Sequence, residues 1–249
     1  MSAEARTNLR VALVIPIFNE EYHVQKLLDR IQPVVGSGAV QRAIFTDDGS
    51  TDRTSEMLRR CEFVEVVRHE SRRGCGASIR SGYEVALREG FDVVVVMAGN
   101  GKDDPGEIPR LLKPIRDGKA DYVQGSRFMA GGVSGGLPWH RLLAMRLLTL
   151  CFRAFLWRRF TDCTNGFRAY RTSFLLDPRV GWRQSWLGND YEMEIYLHYQ
   201  ASALGFRVTE VPVSKLYTRV PGMKYSKARM ADWFTGLKPL FLLRFGLRR

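Results

Sequence analysis

The chain has 249 residues, 45% hydrophobic and 26% charged, which suits one large α/β domain or two small ones and excludes a low-complexity chain. Its formal charge of +12 suits anionic partners: nucleic acid, phosphorylated small molecules or an anionic membrane surface. Solvation of the surface by Arg and Lys explains the same number, so charge alone does not choose among them.

Strands and helices alternate through the first half. LRVALVIPI (9–17) is an apolar run of strand length, and helical spacing follows over 20–31. AIFTDD (43–48) is a second strand that ends in acids. Residues 51–60 follow as a short helix, with Ser50 or Thr51 as its N-cap. VEVVRH (64–69) is a third strand and 76–89 a helix. FDVVVVM (91–97) is a fourth strand, 107–116 a helix and ADYVQGSR (120–127) a fifth strand. The second half is less regular. GGVSGG (131–136) is a loop and 141–159 a basic amphipathic helix or helix pair. DCTNGFRAYR (162–171) is a polar turn into a strand, 190–204 a helix and FRVTEVPV (206–213) a last strand. YTRVPGMKYSK (217–227) is a cationic loop. The expected division is a flexible 1–8, a single domain over 9–227 and a basic amphipathic tail over 228–249.

Unbroken Val/Ile runs predict strands buried on both faces, hence an α/β fold with a mostly parallel central sheet flanked by helices. Ligands of such sheets bind beyond the carboxyl ends of the strands. Polar residues gather at those ends: Asn19 and Glu20, Asp47 and Asp48, residues 98–104, then Ser126 and Arg127.

Four cysteines (Cys61, Cys75, Cys151 and Cys163) form no CxxC pair and no zinc-ligand spacing with the histidines. They read as reduced structural thiols of a cytoplasmic protein. The polar start, MSAEARTNLR, has no signal-peptide pattern. No apolar run approaches the ~20 residues of a spanning helix, although 141–159 and the tail could lie flat in a membrane interface.

Three stretches carry chemistry. In DDGSTD (47–52) a carboxylate at a strand end can accept from a ribose or a base N–H, or it can cap a turn. RRGCGASIRSG (72–82), with Arg73, is a glycine loop opening a helix, either an anion cradle or close helix–strand packing. Packing is the reading preferred for Gly82. The spacing matches neither the dinucleotide fingerprint nor the Walker pattern. The third stretch is VVVVMAGNGKDDP (93–105).

Taken in order, VIPIFNEE, DDGSTD, RGCGAS, the VVVVM loop with Asp104-Pro105, GSR and DCTNGFRAYR resemble glycosyltransferase family 2 with the GT-A fold. The similarity is greatest to the polyprenol-phosphate mannose and glucose synthases, and it covers residues 9–227. It implies that Pro16, Asn19, Glu20 and Asp48, with Arg73, Ala98, Gly99 and Asn100, hold the donor nucleotide. Arg127 would reach phosphate. Thr164, Asn165, Gly166 and Arg168 would line the sugar and acceptor pocket. Arg219, Lys224, Ser226 and Lys227 would close over the diphosphate or lipid phosphate. Asp190 and Glu192 join the acceptor side.

The resemblance also implies Mg²⁺ or Mn²⁺ on an Asp-x-Asp after the fourth strand, with a Gln two positions on. The corresponding residues are Ala98, Asn100 and Lys102. A hard divalent ion prefers anionic oxygen. Lys102 then replaces the metal, or an ion binds through Asn100 and a shifted Asp103 or Asp104, or the site is weakened.

The implied reaction is inverting displacement at C1 of a GDP- or UDP-sugar. Asp104, Lys102 and Arg127 are the catalytic candidates. A phosphate acceptor needs no strong base; a hydroxyl acceptor would draw on Asp103, Asp104, Asp162, Asp190 or Glu192. The expected acceptor is a polyprenyl phosphate, at the inner face of a membrane. A soluble nucleoside or aglycone acceptor, and a non-catalytic nucleotide-sugar or polyanion binder, are the alternatives. No nucleic-acid-binding motif is present.

Overall fold

The computed structural model describes residues 9–156, 158–190, 192–217, 238–243, 245 and 247. Its centre is a seven-stranded sheet of order β3-β2-β1-β4-β7-β5-β8. The strands are β1 (Val11–Ile17), β2 (Arg42–Asp47), β3 (Val64–Arg68), β4 (Val93–Val96), β5 (Tyr122–Ser126), β7 (Arg168–Arg171) and β8 (Val208–Pro212). All neighbours run parallel except β7, which is antiparallel to β4 and to β5. A separate parallel pair joins β6 (Val133–Gly135) to β9 (Ser214–Leu216).

The helices are α1 (Glu21–Gly36), α2 (Thr54–Arg59), α3 (Cys75–Arg88), α4 (Ile108–Arg116), α5 (Trp139–Leu156), α6 (Thr172–Leu176) and α7 (Glu192–Ala203). Side chains of a strand alternate between faces. In β1, Val11, Leu13, Ile15 and Ile17 enter one core with Val24, Leu27, Leu28 and Ile31 of α1. Leu111, Leu112 and Ile115 of α4 share that core. Ala12 and Val14 enter the opposite core with Ile79 and Tyr83 of α3 and Tyr196 and Leu197 of α7. Both faces of β1 are therefore apolar, which is why its sequence shows a run and not an alternation. A third, smaller cluster joins Phe152 of α5 to Leu240 of the tail.

Local expectations change: GGVSGG contains a short strand, β6, and β9 follows the strand expected to be the last. Ser50 and Thr51 do not cap α2, which begins at Thr54; Thr54 N–H instead donates to Asp52 Oδ1 at 2.9 Å. Ser50 and Thr51 bond Asn19 across the sheet end. The fourth strand is shorter than 91–97, and a short helix, α6, follows β7.

At Gly82 of α3 an added Cβ would overlap Val14 Cγ1 of β1. The glycine lets the helix lie close on the sheet, so here it serves packing. Gly82→Ala should destabilise the protein by about 1–3 kcal/mol through overpacking, read as a lower urea midpoint with an unchanged m-value.

Candidate active site

The strand order reverses between β1 and β4, since β2 and β3 lie on one side of β1 and later strands on the other. Two consecutive loops leave such a switch point in opposite directions and open a crevice at the carboxyl edge. The candidate residues sit around it.

The first wall ties the ends of β1 and β2. Asn19 adopts a left-handed φ of 49°, a conformation asparagine tolerates. Its N–H donates to Ser50 Oγ at 3.0 Å, and its side-chain oxygen accepts from Thr51 N–H at 2.9 Å. Glu20 N–H donates to Thr54 Oγ1 at 2.8 Å, while the Glu20 carboxylate bonds His23 Nδ1 at 2.9 Å. Pro16 O accepts from Gly99 N–H at 3.2 Å, which seats the β4 loop against β1.

Asp48 is buried and anchors the glycine loop. It accepts from Arg73 N–H and Gly74 N–H, both at 2.8 Å. His69 Nδ1 donates to its Oδ1 at 2.8 Å, since a carboxylate only accepts, and His69 Nε2 bonds Ser81 Oγ at 2.9 Å. Asp47 pairs with Arg68 at 2.6 Å. On its other side the glycine loop abuts residues 189 and 190: a Cβ on Gly76 would come within 2.6 Å of Asp190 O. Arg73 thus contributes a backbone donor to Asp48, and Asp190 lies beside the loop. His69 was not a sequence candidate, since a lone histidine at a strand end carries no pattern.

The β4 loop forms the second wall. Asn100 Oδ1 accepts from Lys102 N–H of its own loop at 3.3 Å. Asp103 is buried and pairs with Lys215 of β9, whose Nζ lies 2.7 and 2.9 Å from its two oxygens. Asp104 turns away: it accepts from Gly106 N–H at 2.9 Å and pairs with Arg30 of α1 at 3.1 Å. The donor set does not fit a divalent ion. The Ala98 side chain has no ligand atom, Asn100 is folded onto its loop, and the Asp103 carboxylate already holds an ammonium. Among the described residues no group of three His, Cys, Asp or Glu side chains converges.

Lys102 sits over the Tyr217 ring, 5.6 Å from its centroid. Burial, and next the charge of Lys215, pull its amino group down to about 8, against the opposing pull of Glu20 and Asp103.

The third wall is the loop before β7. Arg127 is 3% exposed and forks onto Asp162 at 2.7 and 2.8 Å. It also donates to Thr164 Oγ1 at 2.6 Å and Tyr217 OH at 2.5 Å. Asp162 is held below the ordinary carboxylate range: its burial works against ionisation, and the Arg127 guanidinium outweighs it. Arg168 is 1% exposed and donates to Tyr122 OH, Glu194 O and Asn165 O. Both arginines are internal struts bonded to protein acceptors, although Arg168 Nε has no hydrogen-bond partner among the described residues. Asn165 donates to Gly125 O at 3.1 Å and accepts from Lys215 Nζ at 3.2 Å. Gly166 faces the Glu194 carboxylate. Glu192 Oε2 is buried with no hydrogen-bond partner among the described residues. Arg219, Lys224, Ser226 and Lys227 lie outside the described residues.

The structure thus places Asn19, Glu20, Asp48, Asn100, Lys102 and Asp103 in the loops after β1, β2 and β4 and Asn165 in the loop before β7, with Glu20, Asp48, Asp103 and Asn165 buried. It commits Arg127 and Arg168 to the interior and turns Asp104 toward α1. Lys215 and Tyr217 were not singled out in the sequence. Both stand at its far end, and only the β9 contact with the β4 loop brings them in.

Comparison with known proteins identifies the family and the fold. The chain is 31% identical over 217 residues to polyprenol monophosphomannose synthase of Mycolicibacterium smegmatis, covering 85% of this chain and 79% of the relative. It is 29% identical over 243 residues to undecaprenyl-phosphate mannosyltransferase of Micrococcus luteus, covering 96% and 95%. Among solved structures, glucosyl-3-phosphoglycerate synthase of Mycobacterium tuberculosis, in complex with uridine diphosphate, superposes with a TM-score of 0.71. At 21% identity, over 99% of this chain and 84% of that one, it shows a shared GT-A fold. The same synthase has been crystallised with Mn²⁺ and uridine-diphosphate-glucose. The model of Glycosyl transferase family 2 matches residues 12–177, from β1 through α6, and the chain belongs to that family and is a glycosyltransferase.

Proposed function

We propose that this chain transfers a hexose from a nucleoside-diphosphate sugar to a polyprenyl phosphate, with no divalent ion at the diphosphate. The family match across the crevice carries the reading. The names of the Mycolicibacterium smegmatis and Micrococcus luteus relatives specify polyprenyl phosphates, which favours a lipid over a soluble acceptor.

The nucleoside lies at the β1 and β2 ends, against Asn19, Glu20 and the loop that Asp48 anchors. A phosphate oxygen of the acceptor attacks C1 of the sugar. The bond from C1 to the diphosphate oxygen breaks, the nucleoside diphosphate leaves, and the configuration at C1 inverts. The acceptor is already an anion, so no base must remove a proton. Charge grows on the leaving diphosphate, and a cation fixed beside it lowers the barrier. Lys102, at the β4 loop where the family's metal ligands would stand, supplies that cation.

The lipid reaches the site along α5. Trp139, Leu143, Leu147 and Leu150 repeat at helical spacing and are exposed, while Met145, Leu148 and Phe152 face the core. Arg146 and Arg153 are exposed on the same helix. An apolar stripe flanked by arginines suits the interface of an anionic bilayer, at its inner face. No helix among the described residues is long and apolar enough to cross a membrane.

The first test is a transfer assay with GDP-mannose, UDP-glucose or UDP-N-acetylglucosamine and a polyprenyl phosphate. Turnover should appear with one donor and persist in EDTA. Loss in EDTA with recovery on Mn²⁺ would overturn the metal-free reading, and no transfer to lipid phosphate would overturn the acceptor. Lys102→Met should lower kcat by about 10²- to 10³-fold, the cost of removing one transition-state charge partner. The Lys102 cation is present below about 8 and lost above it. The kcat/KM for donor should therefore fall as pH rises through about 8. A rise there would point to a basic role for the neutral amine.

A further inference from the structure

A lysine ammonium has three N–H donors. Those of Lys215 meet three acceptors: both oxygens of Asp103, at 2.7 and 2.9 Å, and Asn165 Oδ1 at 3.2 Å. Its side chain is 10% exposed and that of Asp103 is 0% exposed. With its donors committed, this ammonium has none left for a substrate. What it does is gather oxygen ligands from separate segments. Asp103 belongs to the loop after β4, Asn165 to the loop before β7, and Lys215 to β9.

Secondary contacts extend the junction. Asp103 Oδ2 also accepts from Ala98 N–H at 3.3 Å, two residues past the end of β4. The Asn165 amide donates to Gly125 O of β5. Asp103 and Lys215 form an antiparallel bridge, and Leu216 N–H donates to Lys102 O at 2.9 Å. The backbone of Lys102 is thereby pinned beside Lys215, and its side chain lies over Tyr217, whose hydroxyl accepts from Arg127. Drawing carboxylate and amide oxygens from several loops around one cation is what a bound divalent ion does.

We propose that Lys215 is a positioning residue that takes the place of a divalent ion at Asp103: it clamps the β4 loop to the loop before β7, fixes Lys102 at the crevice and excludes metal. The inference rests on the reading of Lys102 as the cation at the leaving diphosphate. Metal exclusion follows from occupancy, since the one buried carboxylate of the loop has both oxygens on the Lys215 ammonium and a second cation beside it is repelled.

The test uses the full chain, with Mn²⁺ titrated by electron paramagnetic resonance and transfer kinetics on the same samples. Lys215→Ala bares Asp103 and should gain Mn²⁺ binding that the wild type lacks. The double variant Lys215→Met with Asp103→Asn replaces the ion pair by neutral side chains of similar size. It should bind no Mn²⁺ and should lose about a hundredfold in kcat with little change in donor KM, as expected for a misplaced Lys102. Equal Mn²⁺ binding by wild type and Lys215→Ala, or a folded Lys215→Ala that takes up none, overturns metal exclusion. Wild-type kcat in the double variant overturns the clamp. If Lys215→Ala does not fold by circular dichroism, the double variant decides alone. Lys102→Met with full activity sinks the underlying reading of Lys102 instead, whatever the Lys215 variants do.

Discussion

A strand covered on both faces leaves no room for polar side chains along its length, so they accumulate at its ends. That constraint organises this molecule. β1 feeds one core with its odd residues and the opposite core with its even ones. β4 is four valines, all buried. Ion binding and hydrogen bonding are displaced to the carboxyl edge, and the reversal of strand order between β1 and β4 opens a crevice there.

At that edge, buried charges are paired or hydrogen-bonded. Asp48 meets two backbone N–H groups and His69, Asp162 meets Arg127, and Asp103 meets Lys215. An ionised group out of water is costly unless its partners are in place, and removing one partner of such a pair typically costs about 3–5 kcal/mol. These contacts therefore hold loops more than they meet ligands. Asp48 shapes the glycine loop, Arg127 braces the loop before β7, and Lys215 joins β9 to the β4 loop. What remains for chemistry is supported from behind by a layer of satisfied ion pairs.

Charge also explains the altered β4 loop. With Ala98 and Asn100 where carboxylates would be needed, the loop offers little to a divalent ion, and two lysines stand nearby. The depressed amino group of Lys102 reflects its burial first and the neighbouring ammonium second.

The sequence by itself determined the α/β class, the strand and helix order of the first half and the strand ends at which polar residues meet. Those features are local: Val/Ile runs, helical periodicity and turn residues are written in consecutive positions. The family order of short motifs was legible for the same reason. Tertiary structure decided the rest. It ran β7 antiparallel to its neighbours β4 and β5, because the direction of an inserted strand depends on the sheet that receives it and not on its own residues. It placed Arg127 and Arg168 in the interior on protein acceptors, and in sequence a guanidinium beside glycines and polar residues looks the same whether its partner is a phosphate or a buried Asp162. And it brought Lys215 to Asp103 across more than a hundred residues, a pairing that the β9 register creates and that no neighbouring residue announces.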